Sequence, residues 1–91
     1  MIYKLEYSSQ FKKDFKKITK LAIPDIIEVG HVITSLQQGE TLPAKYVDHA
    51  LSGNWANYRD CHTKPDLVLI YKLELGLLKL ARIGSHSELF R

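Results

Sequence analysis

The segment spanning residues 58–71, Tyr-Arg-Asp-Cys-His-Thr-Lys-Pro-Asp-Leu-Val-Leu-Ile-Tyr, constrains this chain most, because it sets titratable residues against a run too apolar to be exposed. Residues 67–71 form an aliphatic and β-branched run of strand length, which predicts a central strand buried on both faces. The preceding Lys-Pro-Asp at 64–66 predicts a turn, since proline fixes φ and Asp can hydrogen-bond its own backbone. We therefore expect the polar arm at 59–62 to fold back beside the core strand.

Length and composition limit the class of protein. A chain of 91 residues with 45% hydrophobic content predicts one domain, spanning 1–91, with one core. Cys61 is the only cysteine, so it has no thiol partner for a disulfide or a zinc site. The sequence has no signal-peptide pattern and no apolar run near the roughly 20 residues that span a bilayer. We therefore expect a cytoplasmic protein with no membrane partner.

The remaining pattern predicts an α+β fold. Residues 2–7 alternate and predict a first strand at the rim of the sheet, and residues 9 to about 20 predict an amphipathic helix. Pro24 suits the first turn of a second helix, and Gly39 suits its end. Residues 46–51 alternate weakly, residues 55–61 and 77–83 predict further strands, and a polar tail follows. The order predicts two N-terminal helices packed on one face of a mostly antiparallel sheet, a two-layer structure.

The first helix is expected to carry lysines on the side opposite its apolar stripe: Lys12, Lys13, Lys16, Lys17 and Lys20. The net charge of +3 favours an anionic partner without deciding for one. These lysines either contact RNA phosphate or an acidic partner, or form a solvated face that keeps the protein in solution. The sequence leaves both interpretations open.

Titratable residues concentrate in the strand-rich half of the chain: His49, His62, His86, Asp48, Asp60, Asp66, Arg59 and Arg82. None of the histidines has a second ligand at zinc-site spacing, and no phosphate-binding glycine loop occurs, so we expect no metal and no cofactor. Two imidazoles can share proton transfer while a cation stabilises a charged phosphate, which suits metal-free cleavage of RNA. From spacing alone this indication is weak, and the alternative that the histidines are structural or surface groups is favoured.

Four segments together resemble the YafQ branch of the RelE/ParE toxin superfamily: residues 42–49, 58–66, 69–72 and 82–90. The resemblance covers nearly the whole chain, with Ala50 where the pattern usually has proline. It implies a RelE-like fold with a twisted sheet, and the toxin of a bacterial type II toxin–antitoxin pair. It also implies a ribosome-dependent endoribonuclease that cleaves messenger RNA, and a DinJ/RelB-like antitoxin that binds the toxin and alone contacts operator DNA.

The resemblance also implies site residues. The catalytic set falls on His49, His62, Asp66 and His86, with His86 expected as the main proton-transfer residue and His49 as its counterpart. Substrate contacts are expected from Arg82 on the phosphate, from Phe90 stacking on a base, and from Lys45 and Arg59 lining the groove.

Two other functions are compatible with the predicted fold or with the positive net charge. A ParE-like toxin would bind DNA gyrase and cleave nothing, and that branch lacks the clustered histidines and aspartates present here. If the chain were a basic RNA-binding module without catalysis, the clustering of histidines and aspartates would be coincidental. The clustered titratable residues favour the nuclease.

Overall fold

The structure, a computed structural model, describes residues 2–90. The strands are β1 (Lys4–Tyr7), β2 (His49–Ala50), β3 (Arg59–Lys64), β4 (Leu67–Glu74) and β5 (Leu77–Gly84), and the helices are α1 (Ser9–Ile18), α2 (Ile23–Gln37) and α3 (His86–Leu89). The five-stranded sheet has the order β1-β5-β4-β3-β2, with β1 parallel to β5 and the other neighbours antiparallel. The predicted α+β fold with a mostly antiparallel sheet is confirmed. None of the helices described is long and apolar enough to cross a membrane.

Local signals set the ends of both long helices. The Ser8 hydroxyl accepts a hydrogen bond from the Phe11 N–H at 2.9 Å and caps α1. Pro24 occupies the first turn of α2, and Gly39 follows that helix with φ at 76°. These boundaries agree with the prediction, except that α1 ends at Ile18 rather than near residue 20.

Strand β4 lies at the centre of the sheet, and its segment at 67–71 is completely buried. Leu69 and Tyr71 belong to the core beneath α1 and α2, whereas Val68 and Ile70 pack with Leu89 of α3 in a second, smaller cluster. The predicted central strand, buried on both faces, is confirmed. The sheet therefore has one face covered by the long helices and one face covered only in part.

The strand predicted at 55–61 was placed too early. Gly53–Trp55 is a 3-10 turn, Asn57 has φ at 75°, and β3 begins at Arg59. Trp55 turns its ring edge-on to Tyr58 at 5.2 Å and joins the smaller cluster, so burial of the indole overrides the strand propensity of the segment.

Two other segments also differ from the prediction. The strand predicted at 46–51 is only the short β2, which the 3-10 turn Ala44–Tyr46 precedes. The polar tail, for which no helix was predicted, forms α3. Ser85 and Glu88 form a capping box at the start of α3. That Ser-x-x-Glu pattern was a readable helix signal that the sequence analysis missed.

Candidate active site

The strand register brings the predicted site residues of the sheet to one face. His49 lies opposite Asp60, Asp60 lies opposite Ile70, and His62 lies opposite Val68. Residues opposite one another in antiparallel strands share a face. His49, Asp60 and His62 therefore lie over the smaller cluster, on the face of the sheet that α1 and α2 leave uncovered.

The geometry of His49 fixes which ring nitrogen carries the proton. Its Nδ1 lies 2.8 Å from the Val47 carbonyl oxygen and 3.0 Å from Oδ1 of Asp60. Both neighbours are acceptors when the carboxyl group is ionised, so Nδ1 donates. The neutral ring then keeps the lone pair on Nε2. His49 is about half exposed, so this basic nitrogen is accessible to a substrate.

Val47 supplies that carbonyl from a strained conformation. Its φ is 51°, in the left-handed region that β-branched residues rarely adopt. The residue ends the 3-10 turn at Ala44–Tyr46, and its side chain is exposed. Strain of this kind is found where the surroundings hold a functional geometry. Here it accompanies the carbonyl that orients His49.

Asp60 is the site residue that the sequence prediction omitted. It is 2% exposed, and within residues 2–90 its Oδ1 accepts no hydrogen bond of good geometry, because the nearby His49 Nδ1–H is directed at Val47. Burial raises the pKa of the Asp60 carboxyl, while charges on His49, His62 and His86 act to lower it. Its position two residues before His62 in a strand was a usable signal, because such residues share a face.

His62 is oriented by the turn that follows its strand. Its Nδ1 lies 3.2 Å from the Pro65 carbonyl oxygen, so this nitrogen also carries a proton and Nε2 is the basic atom of the neutral ring. The register of β3 against β4 shifts between His62 and Lys64. His62 lines a cleft of about 480 Å³ together with Lys45, whose ammonium lies 5.0 Å from the Tyr46 ring centroid.

His86 is held at the start of α3. Its backbone N–H donates to Oδ1 of Asp66 at 3.2 Å, which ties the β3–β4 turn to this helix. The His86 and Phe90 rings lie 4.9 Å apart on one side of α3. Asp66 therefore has a visible positioning contact with His86, and the aromatic ring predicted to stack on a base lies beside an imidazole.

The two predicted arginines are both engaged in ion pairs. The register puts Arg82 opposite Ile70, but its guanidinium reaches Asp14 on α1, with Nε at 2.8 Å and Nη2 at 3.0 Å. This path is open because β1 ends at Tyr7, opposite Leu80, and leaves the rest of β5 uncovered. Asp14 thereby raises the pKa of Arg82. The Arg82 contact with phosphate stays a prediction.

Arg59 lies farther from the histidines than the sequence prediction placed it. It pairs with Tyr71 across β3 and β4, which puts it on the face covered by the long helices. Its Nε lies 3.2 Å from Oδ1 of Asp48, an atom that also accepts from the Tyr71 hydroxyl at 2.6 Å. This network anchors the residue before His49, and a substrate contact by Arg59 stays a prediction.

The charges of His49 from β2, His62 from β3 and His86 from α3 all act to lower the pKa of Asp60, so three histidines from three elements influence one carboxyl group. Among residues 2–90, no group of three or more His, Cys, Asp or Glu side chains is arranged to hold a metal ion. The site offers three imidazoles that can give and take protons, and the protonated nitrogen is defined for His49 and His62.

Known proteins with similar sequences and structures indicate the family to which this chain belongs. The chain is 44% identical over 87 residues to the mRNA interferase toxin YafQ of Escherichia coli K12, covering 94% of each chain. A copper-bound mutant toxin from Helicobacter pylori matches with a TM-score of 0.90 at 42% identity, covering 98% of this chain and 100% of that one. The structure of the E. coli DinJ–YafQ toxin–antitoxin complex matches with a TM-score of 0.88 at 41% identity, covering 100% of both chains.

The resemblance noted from the sequence motifs is thus confirmed over almost the whole chain. The family described as "Bacterial toxin of type II toxin-antitoxin system, YafQ" matches residues 3–91. This chain belongs to the YafQ family of bacterial toxins of type II toxin–antitoxin systems.

Proposed function

We propose that this toxin is an endoribonuclease that cleaves messenger RNA on the ribosome by metal-free proton transfer. The observation that carries the proposal is the orientation of His49, whose Nδ1 faces two acceptors and leaves Nε2 as the basic atom. The E. coli relative is named an mRNA interferase, which supports the same activity here.

The reaction divides between two histidines on opposite sides of the phosphate. His49 Nε2 takes the proton of the 2′-hydroxyl, and the resulting oxygen attacks the adjacent phosphorus. Protonated His86 donates its proton to the departing 5′-oxygen as the P–O bond breaks. The products carry a 2′,3′-cyclic phosphate and a 5′-hydroxyl, and exchange with water restores both rings.

His62 and Asp66 influence the charge and the positions of the two proton-transferring histidines, His49 and His86. His62 lies on the same sheet face as His49, with its Nδ1 held toward Pro65. Asp66 fixes the backbone at His86 and places a carboxylate next to the residue that must carry a positive charge before it acts as an acid. These contacts support their assignment to the catalytic set.

Substrate is held by cations and an aromatic ring. Arg82 uses Nε and Nη2 in its pair with Asp14, so we assign Nη1 to the phosphate. Phe90 is half-buried beside His86 and is assigned to stack on a base of the messenger. Lys45 contributes positive charge at the His62 cleft. Arg59 lies on the opposite face of the sheet and pairs with Asp48, so its contribution to substrate binding is through the segment that carries His49.

The partner is a cognate antitoxin of the DinJ/RelB type. The matching E. coli toxin forms a complex with DinJ, which supports an equivalent partner for this chain. Operator DNA is then contacted through the antitoxin only. Action on translating ribosomes sets the place of action in the cytoplasm.

Regulated expression of the toxin with mapping of transcript 5′ ends, beside the His86→Ala variant, tests the function. New 5′-hydroxyl ends within coding regions, absent from the variant and insensitive to chelators at concentrations that ribosomes tolerate, are expected. Growth arrest without new ends would instead place the toxin with proteins that bind DNA gyrase.

A further inference from the structure

A buried carboxyl group lies beneath the histidines, and the reaction just described does not use it. Asp60 is the second residue of β3, is 2% exposed and lies opposite Ile70, whose side chain is completely buried. Within the described residues its Oδ1 lacks a well-aligned donor. Burying an ionised carboxyl group without donors is costly, so a residue of this kind in a small core calls for a functional reason.

The surroundings of Asp60 indicate what that reason is. Four titratable groups act electrostatically on Asp60: His49 from β2, His62 from β3, His86 from α3 and Asp48 from the segment before β2. The nearest is His49, with Nδ1 at 3.0 Å from Oδ1. In the proposed reaction, positive charge forms on His49 when that ring takes the proton of the 2′-hydroxyl, next to Oδ1 of Asp60. At rest Oδ1 of Asp60 has no well-aligned donor within the described residues, and its attraction to His49 strengthens when His49 gains a proton.

We propose that Asp60 is a positioning residue whose carboxylate stabilises the positive charge that forms on His49 when His49 takes the substrate proton. The assignment rests on the proposed function. Val47 and Asp60 then have separate tasks: the Val47 carbonyl selects the ring nitrogen that carries the proton at rest, and Asp60 favours the charged ring.

The proton balance is simple. The 2′-hydroxyl proton moves to Nε2 of His49, the ring becomes an imidazolium, and its Nδ1–H strengthens its interaction with Oδ1 of Asp60. No proton passes to Asp60, which stays ionised throughout. When His49 returns its proton to water, the carboxylate again lacks a strong partner. The interaction is therefore stronger in the transition state than at rest, as catalysis requires.

The test is the Asp60→Asn variant of the full chain, which keeps the shape of the side chain and removes its charge. In single-turnover cleavage of ribosome-bound messenger, we expect the maximal rate to fall about 10²-fold or more with unchanged half-saturation. The acid limb of the pH–rate profile should move to lower pH, since His49 loses the charge that favours its protonated ring. The melting temperature should not fall, because a poorly paired buried charge has been removed.

Glu74→Gln is the matched control. It removes one carboxylate from the far end of β4, where Glu74 pairs with Lys72 and Lys79, and it should leave the cleavage rate unchanged. The double variant His49→Ala with Asp60→Asn should cleave no more slowly than His49→Ala alone, because Asp60 acts through His49.

Two results would overturn the inference. Asp60→Asn cleaving at the parent rate would show that the carboxylate has no catalytic part. A fall in melting temperature or loss of folding would show that Asp60 serves the fold. If His49→Ala itself cleaves at the parent rate, the proposed function fails; if His49→Ala is inactive and Asp60→Asn is not impaired, only the role of Asp60 fails.

Discussion

Asp14 in the contact between α1 and β5 and Asp60 beneath the histidines are equally buried, at 3% and 2% exposure, but their surroundings differ. Asp14 accepts from Nε and Nη2 of Arg82, from Gln10 and from the Ile83 N–H. Burial raises the pKa of the Asp14 carboxyl, but the hydrogen bonds from Arg82, Gln10 and Ile83 outweigh it and leave the pKa below its ordinary value. At Asp60 burial prevails, and the pKa is raised.

The difference separates two uses of a buried charge. Donors surround Asp14 on all sides, so the ionised group ties a helix to a strand whose edge β1 does not cover. The histidines near Asp60 have a different task, because they act in catalysis by gaining and losing protons. A saturated buried carboxylate thus marks a structural contact, whereas an unsaturated one marks a site where chemistry is expected. Four predictions test this division between a region that holds the fold and a region that reacts.

The largest expected effect is on the rate of RNA cleavage at the histidine site. His49→Ala and His86→Ala should each lower the rate of messenger cleavage by about 10²- to 10⁴-fold, because each removes a positioned acid or base. Both side chains are exposed, so the melting temperature should change little. Purified variants compared in cleavage and in thermal unfolding would measure both. His31→Ala, exposed on α2, is the control. Cleavage at the parent rate by both variants would place the site elsewhere.

Leu69→Ala tests the core on the helix-covered face. Leu69 is completely buried in β4, so the variant should lose about 2–5 kcal/mol of unfolding free energy through lost burial and a cavity. Denaturant unfolding measures this loss. Leu75→Ala, at a position 95% exposed in the β4–β5 turn, should change stability by less than about 0.5 kcal/mol. An unchanged midpoint for Leu69→Ala would contradict the assignment of β4 as the central core strand.

Asp14→Asn should destabilise the fold by about 2–3 kcal/mol, because it weakens charged hydrogen bonds to Arg82 and Ile83 in a buried setting. The pKa of Asp14 is lowered by folding, so its contribution is present above the ordinary value of 3.8 and is lost as pH falls through the folded value. Unfolding followed from neutral to acid pH should therefore show the parent and the variant converging.

The partly exposed pair of Asp25 with Lys64 provides the control for Asp14. Asp25→Asn should cost less than about 1 kcal/mol, since surface ion pairs contribute little. If Asp14→Asn were no more costly than Asp25→Asn, the structural role of the buried pair would be refuted. Together with a melting temperature for Asp60→Asn that does not fall, a costly Asp14→Asn would establish the contrast between the two carboxyl groups.

The smallest expected effect is on substrate binding. Phe90→Ala should weaken engagement of the messenger by about 1–3 kcal/mol through lost stacking, raising the half-saturation value more than it lowers the maximal rate. Tyr7→Ala, which removes an exposed aromatic ring from β1, is the control and should bind messenger normally. A Phe90→Ala variant that binds like the parent but melts at a lower temperature would show that Phe90 only holds the C-terminal segment.

Local patterns predicted the elements whose sequence period agrees with their packing. The apolar run at 67–71 and the turn residues before it correctly located β4, and Pro24 and Gly39 correctly located the limits of α2. The segment around Trp55 was misassigned because an aromatic residue has strand propensity wherever it occurs, and only the cluster on the second sheet face explains its turn.

By itself the sequence determined the order of the two long helices and the main strands, the buried central strand and the candidate histidines, because these depend on periodicity, turn chemistry and motif residues close together in the chain. Tertiary structure alone decided which groups meet. Arg82 binds Asp14 across 68 positions of sequence, and Asp60 lies next to His49 although 11 positions separate them in sequence. Strand register and the uncovered edge of β5 determine these contacts, and neither can be read from residue spacing.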